Sequence, residues 1–122
     1  MTESGTGALG PLEAEVMGVL WQADQALSVR EVAGRLNADR SAPLAYTTVM
    51  TVLSRLAGKN ILHRQPRGRG FVYRPAVADT AEIAVRGVLD EFGDAALARF
   101  VDRVEVDPAL RARLRKLTRG SS

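Results

Sequence analysis

Cysteine is absent from all 122 residues, which excludes disulfides and thiolate metal sites and suits a reducing compartment. There is one histidine, His63, and without thiols or clustered carboxylates beside it no closed metal site can be assembled, so no metal and no cofactor is expected. No apolar run approaches the roughly 18 residues that a membrane span requires. The N-terminal MTESGTGALG has neither a basic region nor an apolar export core, so a cytoplasmic chain with no membrane insertion is expected. Gly-rich phosphate loops, nucleophile motifs and grouped acid/base residues are all missing, which argues against an enzyme. Aromatics number six, too few for the exposed stacking platforms of single-strand RNA readers.

The most informative absence is that of acid. Seven basic residues (Arg40, Arg55, Lys59, Arg64, Arg67, Arg69 and Arg74) lie between positions 40 and 78 without one Asp or Glu among them. Residues 1–78 carry nine Lys/Arg against six Asp/Glu, whereas residues 79–122 carry eight of each, so the whole excess of +3 sits in the first part. A solvated face ordinarily mixes signs. Fifteen of the 17 basic residues are Arg, which a GC-rich coding bias explains, but such a bias does not remove acids. The segment generates a positive field suited to a polyanion, the electrostatic footprint of nucleic-acid binding.

What is present reads as two units after a Gly/Ser/Thr-rich tail, residues 1–8, expected to be disordered. From Pro11, apolar residues at helical spacing predict a helix to Gln22, with Trp21 as a packing residue. Leu27-Ser28 is a candidate short strand. Ser28 and Glu31 then form the S-x-x-E signature of a capping box opening a helix over 29–37. A third helix is expected from Tyr46 to about Ala57, stopped by Gly58, Lys59 and Asn60. Its Val49, Val52, Leu53 and Leu56, grouped with Met50 and Tyr46, form the inward side. Thr47, Thr48, Thr51, Ser54 and Arg55 form a small, hydroxylated outer side. Two β-like runs, 61–65 and 71–74, flank a Pro66–Gly70 connection. Helix, short strand, two helices and a hairpin is the order of a winged helix-turn-helix, here spanning residues 9–78.

Residues 79–119 differ in kind. Three short amphipathic helices are expected, the first capped around Asp79 and Thr80, the second by Asp94, and the third by Asp107 ahead of Pro108. The apolar stripes comprise Val85, Val88, Leu89 and Phe92, then Leu97, Phe100, Val101 and Val104, then Leu110, Leu114 and Leu117. A unit of about 40 residues rarely stabilises its own core, and a second copy is the expected cover. The fold class is therefore mainly α with a small β-wing: an N-terminal winged helix-turn-helix and a three-helix C-terminal dimerisation region.

On these residues the threonines Thr47, Thr48 and Thr51 are expected to contact bases, where methyls and hydroxyls suit thymine methyls and hydrogen bonds of either sense. Arg55, Lys59, Arg64, Arg67 and Arg69 are expected to contact phosphates. Tyr46 joins them, although its helical position borders the core. The competing classes are a winged-helix protein-interaction module, which shares the fold but needs no acid-free surface, and a non-specific architectural DNA-binding module.

The segment LAYTTVMTVLSRLAGKNIL, the Leu9–Trp21 opening, the Phe71-Val72-Tyr73 strand and the ALARFV segment over 96–101 together resemble the penicillinase repressor family of BlaI/MecI type. The resemblance spans about residues 9–117. It implies a homodimeric repressor on dyad operators of β-lactamase, penicillin-binding or related stress genes, acting on double-stranded DNA. It implies groove-facing positions at Thr47, Thr48, Thr51 and Arg55, a wing at residues 67–70, and a membrane sensor-protease pathway that ends repression by causing cleavage in the dimerisation region. Family members with a known cleavage site have Asn before Phe, whereas this chain has Arg99-Phe100. The family's copper-responsive, CopY-type branch uses a cysteine motif, which this chain lacks.

Overall fold

A computed structural model describes residues 9–120, so the expected N-terminal tail lies outside the described residues. The elements are α1 (Pro11–Gln22), β1 (Leu27–Ser28), α2 (Val29–Asn37), α3 (Tyr46–Gly58), β2 (Leu62–Arg67), β3 (Gly70–Pro75), α4 (Thr80–Phe92), α5 (Asp94–Val106) and α6 (Pro108–Gly120). The three strands form one antiparallel sheet in the order β1-β3-β2.

Local chemistry sets most boundaries. Ser28 Oγ accepts from Glu31 N–H at 3.1 Å and Glu31 Oε1 accepts from Ser28 N–H at 2.8 Å, the reciprocal box expected at the start of α2. At the end of α3, Asn60 takes φ +64, its N–H donates to Ala57 O, and Ile61 N–H donates to Leu56 O. That pair of bonds is a Schellman ending, and the buried Leu56 and Ile61 supply its apolar contact. Asp107 Oδ1 accepts from Leu110 N–H at 3.0 Å, capping α6 with Pro108 in its first turn.

Two boundaries differ from expectation. The wing strands are longer than the β-like runs, reaching Arg67 and restarting at Gly70, so the turn is only Gly68-Arg69, with Gly68 at φ +62. Pro66 lies inside β2, which is tolerated because β2 is the sheet's outer strand and a missing N–H there breaks no central ladder. Between α4 and α5, Gly93 at φ +55 closes one helix and opens the next, and Asp94 falls inside α5 as its first residue instead of capping it.

The core is built by α1, α2, α3 and the sheet, with Val16, Met17, Val32, Val49, Leu53 and Leu56 fully enclosed. Tyr73 is 2% exposed, a strand packing residue as expected. Trp21 packs against this core and its Nε1–H donates to Val77 O at 3.0 Å, tying the exit from the wing to α1. Val77 and Ile83 belong to the same core, so the first turn of α4 is part of the winged unit's packing. Beyond it no apolar residue is fully buried: those of α5 and α6 are exposed or half-buried.

Candidate nucleic-acid interface

The direction of α3 is set by the turn before it. Asn37, the last residue of α2, donates from Nδ2 to Leu44 O at 3.1 Å and accepts at Oδ1 from Leu44 N–H at 2.8 Å. Loop backbone that would otherwise need water is thereby satisfied by one side chain. Arg40 in the same turn reaches Glu15 of α1 at 2.7 Å.

With α3 so held, Val49, Val52, Leu53 and Leu56 face the core, and Thr47, Thr48, Thr51, Ser54 and Arg55 are exposed. Tyr46 and Met50, grouped with the inward side by their apolar character, are 52% and 40% exposed. The helical period held the signal for Met50. At 3.6 residues per turn it stands about 40° from Ser54 and about 100° from Val49. It belongs to the outward face, and sequence reasoning missed it by assigning apolar character to the interior. A large exposed apolar residue amid threonines is the kind of group that contacts thymine methyls.

The wing presents its arginines in three settings. Arg64 lies over the Phe71 ring, 4.2 Å from its centroid, which holds the guanidinium against the hairpin. Arg67 Nη2 is 3.6 Å from Glu31 Oε1, so the wing is tethered electrostatically to the start of α2. Arg69 is exposed in the two-residue turn itself. The Glu31 carboxyl is held below the usual carboxylate range, first by the hydrogen bond from the Ser28 backbone, then by the Ser28 hydroxyl and by Arg67 and Arg35, against an opposing desolvation effect.

Lys59 is placed differently. It sits at the C-terminal end of α3 with Nζ 3.4 Å from Glu13 Oε2 on α1, so its charge is partly engaged within the chain. His63 is exposed on β2, and among the described residues no group of three His, Cys, Asp or Glu could hold a metal. No described helix is long and apolar enough to cross a membrane.

The candidate interface residues of the C-terminal helices are largely uncovered. Val85, Phe92, Leu97, Phe100 and Val101 are about half exposed and Leu117 is 71% exposed, while Val88, Val104, Leu110 and Leu114 are half-buried. Leu89, at 38%, lies with Val85, Val88, Leu97 and Phe100 along an apolar groove of about 450 Å³ between α4 and α5. Arg99 and Phe100 lie inside α5, with Arg99 Nη1 3.0 Å from Asp102.

A core-anchored α3 with a hydroxylated outer face, beside a basic two-stranded wing, defines a winged helix-turn-helix of the DNA-binding class. Its C-terminal helical extension narrows the class further. A family model described as "Penicillinase repressor" matches residues 9–119, and the chain belongs to that family of winged-helix repressors. The curated "Transcriptional regulator BlaI" of Mycobacterium tuberculosis, in strains CDC 1551 and H37Rv, is 40% identical, with 92% of this chain and 86% of the relative covered. The solution structure of the DNA-binding domain of the repressor BlaI superposes with a TM-score of 0.53 at 29% identity, covering 66% of this chain and 92% of that one.

Proposed function

We propose that the chain acts in the cytoplasm as a homodimer on dyad operators, each protomer laying α3 in the major groove of one half-site and its wing on the backbone. The observation that carries this is the outer face of α3. Thr47, Thr48, Met50, Thr51 and Ser54 project from a helix whose opposite face is sealed in the core, and no acid interrupts the basic segment around them. Thr47, Thr48 and Thr51 read base edges; Tyr46, Arg55, Arg64, Arg67 and Arg69 contact phosphates; Lys59 serves the backbone only after leaving Glu13. The apolar faces of α4–α6 form the contact between protomers, doubling the recognised sequence. We draw the functional division within α4, after Ile83 instead of at residue 78, because Ile83 packs in the core of the DNA-binding unit.

The regulated genes are proposed to be β-lactamase, penicillin-binding or cell-envelope stress genes, in keeping with the family, with repression by occlusion of the promoter. Cleavage at Arg99-Phe100, triggered through a membrane sensor-protease pathway, would first require α5 to open, because that bond lies within the helix.

The test is fluorescence anisotropy of the chain with its own upstream promoter duplex and with a scrambled duplex, over a series of salt concentrations. Promoter binding that outlasts scrambled binding as salt rises is the expected result. Equal, steeply salt-dependent binding to both would reduce the reading to an architectural charged surface. Binding to neither duplex would bring forward a protein-interaction module.

A further inference from the structure

His63 is the chain's one histidine. It is exposed on β2, the outer strand of the sheet and the strand that packs against α3. Residues 59–61 alone connect α3 to β2, and the Schellman bonds at Asn60 and Ile61 fix the angle between the two elements. A concavity of about 300 Å³ results, with Ser54 and Asn60 on its helix side and His63 and Arg64 on its strand side. A second, of about 260 Å³, opens on the outer face of the sheet, where His63 pairs across the strands with Arg74 and stands near Gln65. His63 lines both.

The charged groups around it are cations. Arg64 is its neighbour on β2 and Arg74 its partner on β3, while Lys59 at the end of α3 is engaged by Glu13. The approach to β1 contributes only Ala26. Among the described residues no acid lines either concavity, and no hydrogen bond or ion pair engages the imidazole. A protonated ring at this place has no counter-charge in the chain, and a duplex brings one. With α3 in the major groove and the wing on the backbone beside it, the sugar-phosphate strand bordering that groove passes between helix and wing. It therefore crosses the concavity formed by Ser54, Asn60, His63 and Arg64. Hydrogen-bond donors with no acid among them suit a phosphate.

We infer that His63 contacts a phosphate of that strand in its imidazolium form, so that DNA binding takes up a proton. The inference rests on the DNA-binding reading above and adds to it a contact residue whose charge is set by pH. Histidine changes charge between about pH 5 and 8. The contact is present while the ring is charged and is lost as pH rises through that range. By reciprocity, a bound phosphate favours the charged ring. Phosphate contacts carry no sequence information, so the effect extends to any duplex the chain binds.

Anisotropy of the full chain on the promoter and scrambled duplexes, with salt series at about pH 5.5 and about pH 8, tests this. The slope of log affinity against log salt should be about 0.9 steeper at the lower pH on both duplexes, the increment for one phosphate contact. His63→Gln should keep the shallower slope at both pH values, and His63→Arg the steeper. His63 is exposed, so neither substitution should move the urea midpoint, which separates a lost contact from a lost fold. A parental slope that does not change with pH, or a change that persists in His63→Gln, would overturn the inference while preference for the promoter, and with it the DNA-binding reading, stands. His63→Arg behaving like His63→Gln would place the side chain away from the strand and overturn it as well. A pH effect confined to the promoter duplex would put His63 on a base, against the phosphate assignment. Binding to neither duplex at either pH would overturn the DNA-binding reading itself.

Discussion

Asn37 grips Leu44 from both sides, its amide donating to the Leu44 carbonyl and accepting from the Leu44 N–H, so the turn that aims α3 hangs on one side chain. Both bonds are partly buried, and a lost partner leaves an unsatisfied backbone group. We predict that Asn37→Ala lowers unfolding free energy by about 1–3 kcal/mol and weakens operator binding beyond that, because α3 loses its fixed approach. Asn37→Asp keeps the acceptor and loses the donor, so it should fall between the two. Urea unfolding followed by circular dichroism, paired with anisotropy on the promoter duplex, checks both.

The box between Ser28 and Glu31 predicts an acid-limb effect. The Glu31 carboxyl is held low, chiefly by the Ser28 N–H, so its folded value lies below its unfolded one. The unfolded state therefore binds the proton first. The contribution is present above the ordinary carboxylate range and is lost as pH falls through the lowered folded value. Glu31→Gln should flatten the decline in stability below about pH 4.5. Ser28→Ala should cost about 1 kcal/mol near neutral pH. Thermal melts between pH 3 and 7 distinguish the two, and an unchanged acid limb in Glu31→Gln would remove Glu31 from the account.

Elements governed by neighbours within about four residues were legible in the sequence. The S-x-x-E box, the Asp107-Pro108 start and the Gly58–Asn60 stop each satisfy helix ends through local bonds, and all appear where expected. The acid-free stretch likewise marked the exposed face and wing. Relationships set by tertiary packing were not legible. Nothing near Lys59 announces Glu13, 46 residues earlier. Nothing near Ile83 announces that it joins a core built mainly before residue 78. Pro66 inside a strand is readable only once β2 is known to be an edge. Met50 was a different failure, since the period placed it outward and its apolar character overrode the period.

Arg67 and Thr51 should separate affinity from specificity. Arg67 stands on the wing, where charge meets phosphate, and Thr51 on the outward face of α3. Arg67→Ala is expected to weaken promoter and scrambled duplexes alike and to reduce the slope of log affinity against log salt by about 0.9. Thr51→Ala is expected to leave that slope unchanged and to narrow the gap between the two duplexes, by about 1–3 kcal/mol at most. Identical behaviour of the two variants would undo this division of labour.

Met50 offers a test of the exposed apolar group. At 40% exposure it contributes little to the core, so Met50→Ala should change stability by less than about 0.5 kcal/mol. If it rests on a thymine methyl, the substitution costs affinity for the promoter and almost none for a duplex with that thymine replaced by uracil, which lacks the methyl. Scanning thymine-to-uracil replacements across the half-site with both proteins locates the contact. A stability loss of several kcal/mol would instead return Met50 to the interior.

Truncation tests where the DNA-binding unit ends. Ile83 is 3% exposed and packs in the same core as Leu20, Val77 and Tyr73, although it lies in α4. Cutting after Ala78 removes it together with the Asp79 cap and the bond from Ala78 N–H to Glu82. Cutting after Phe92 retains all three and removes α5 and α6. The longer fragment should fold as a monomer with near-parental stability of its winged unit. The shorter one should lose about 2–5 kcal/mol, the range for Ile83→Ala in the full chain. Chemical denaturation gives the stabilities and sedimentation the association state. A longer fragment that remains dimeric would move the protomer contact onto α4 or the winged unit, whereas equal stability of the two fragments would show that the α4 turn adds nothing to the core.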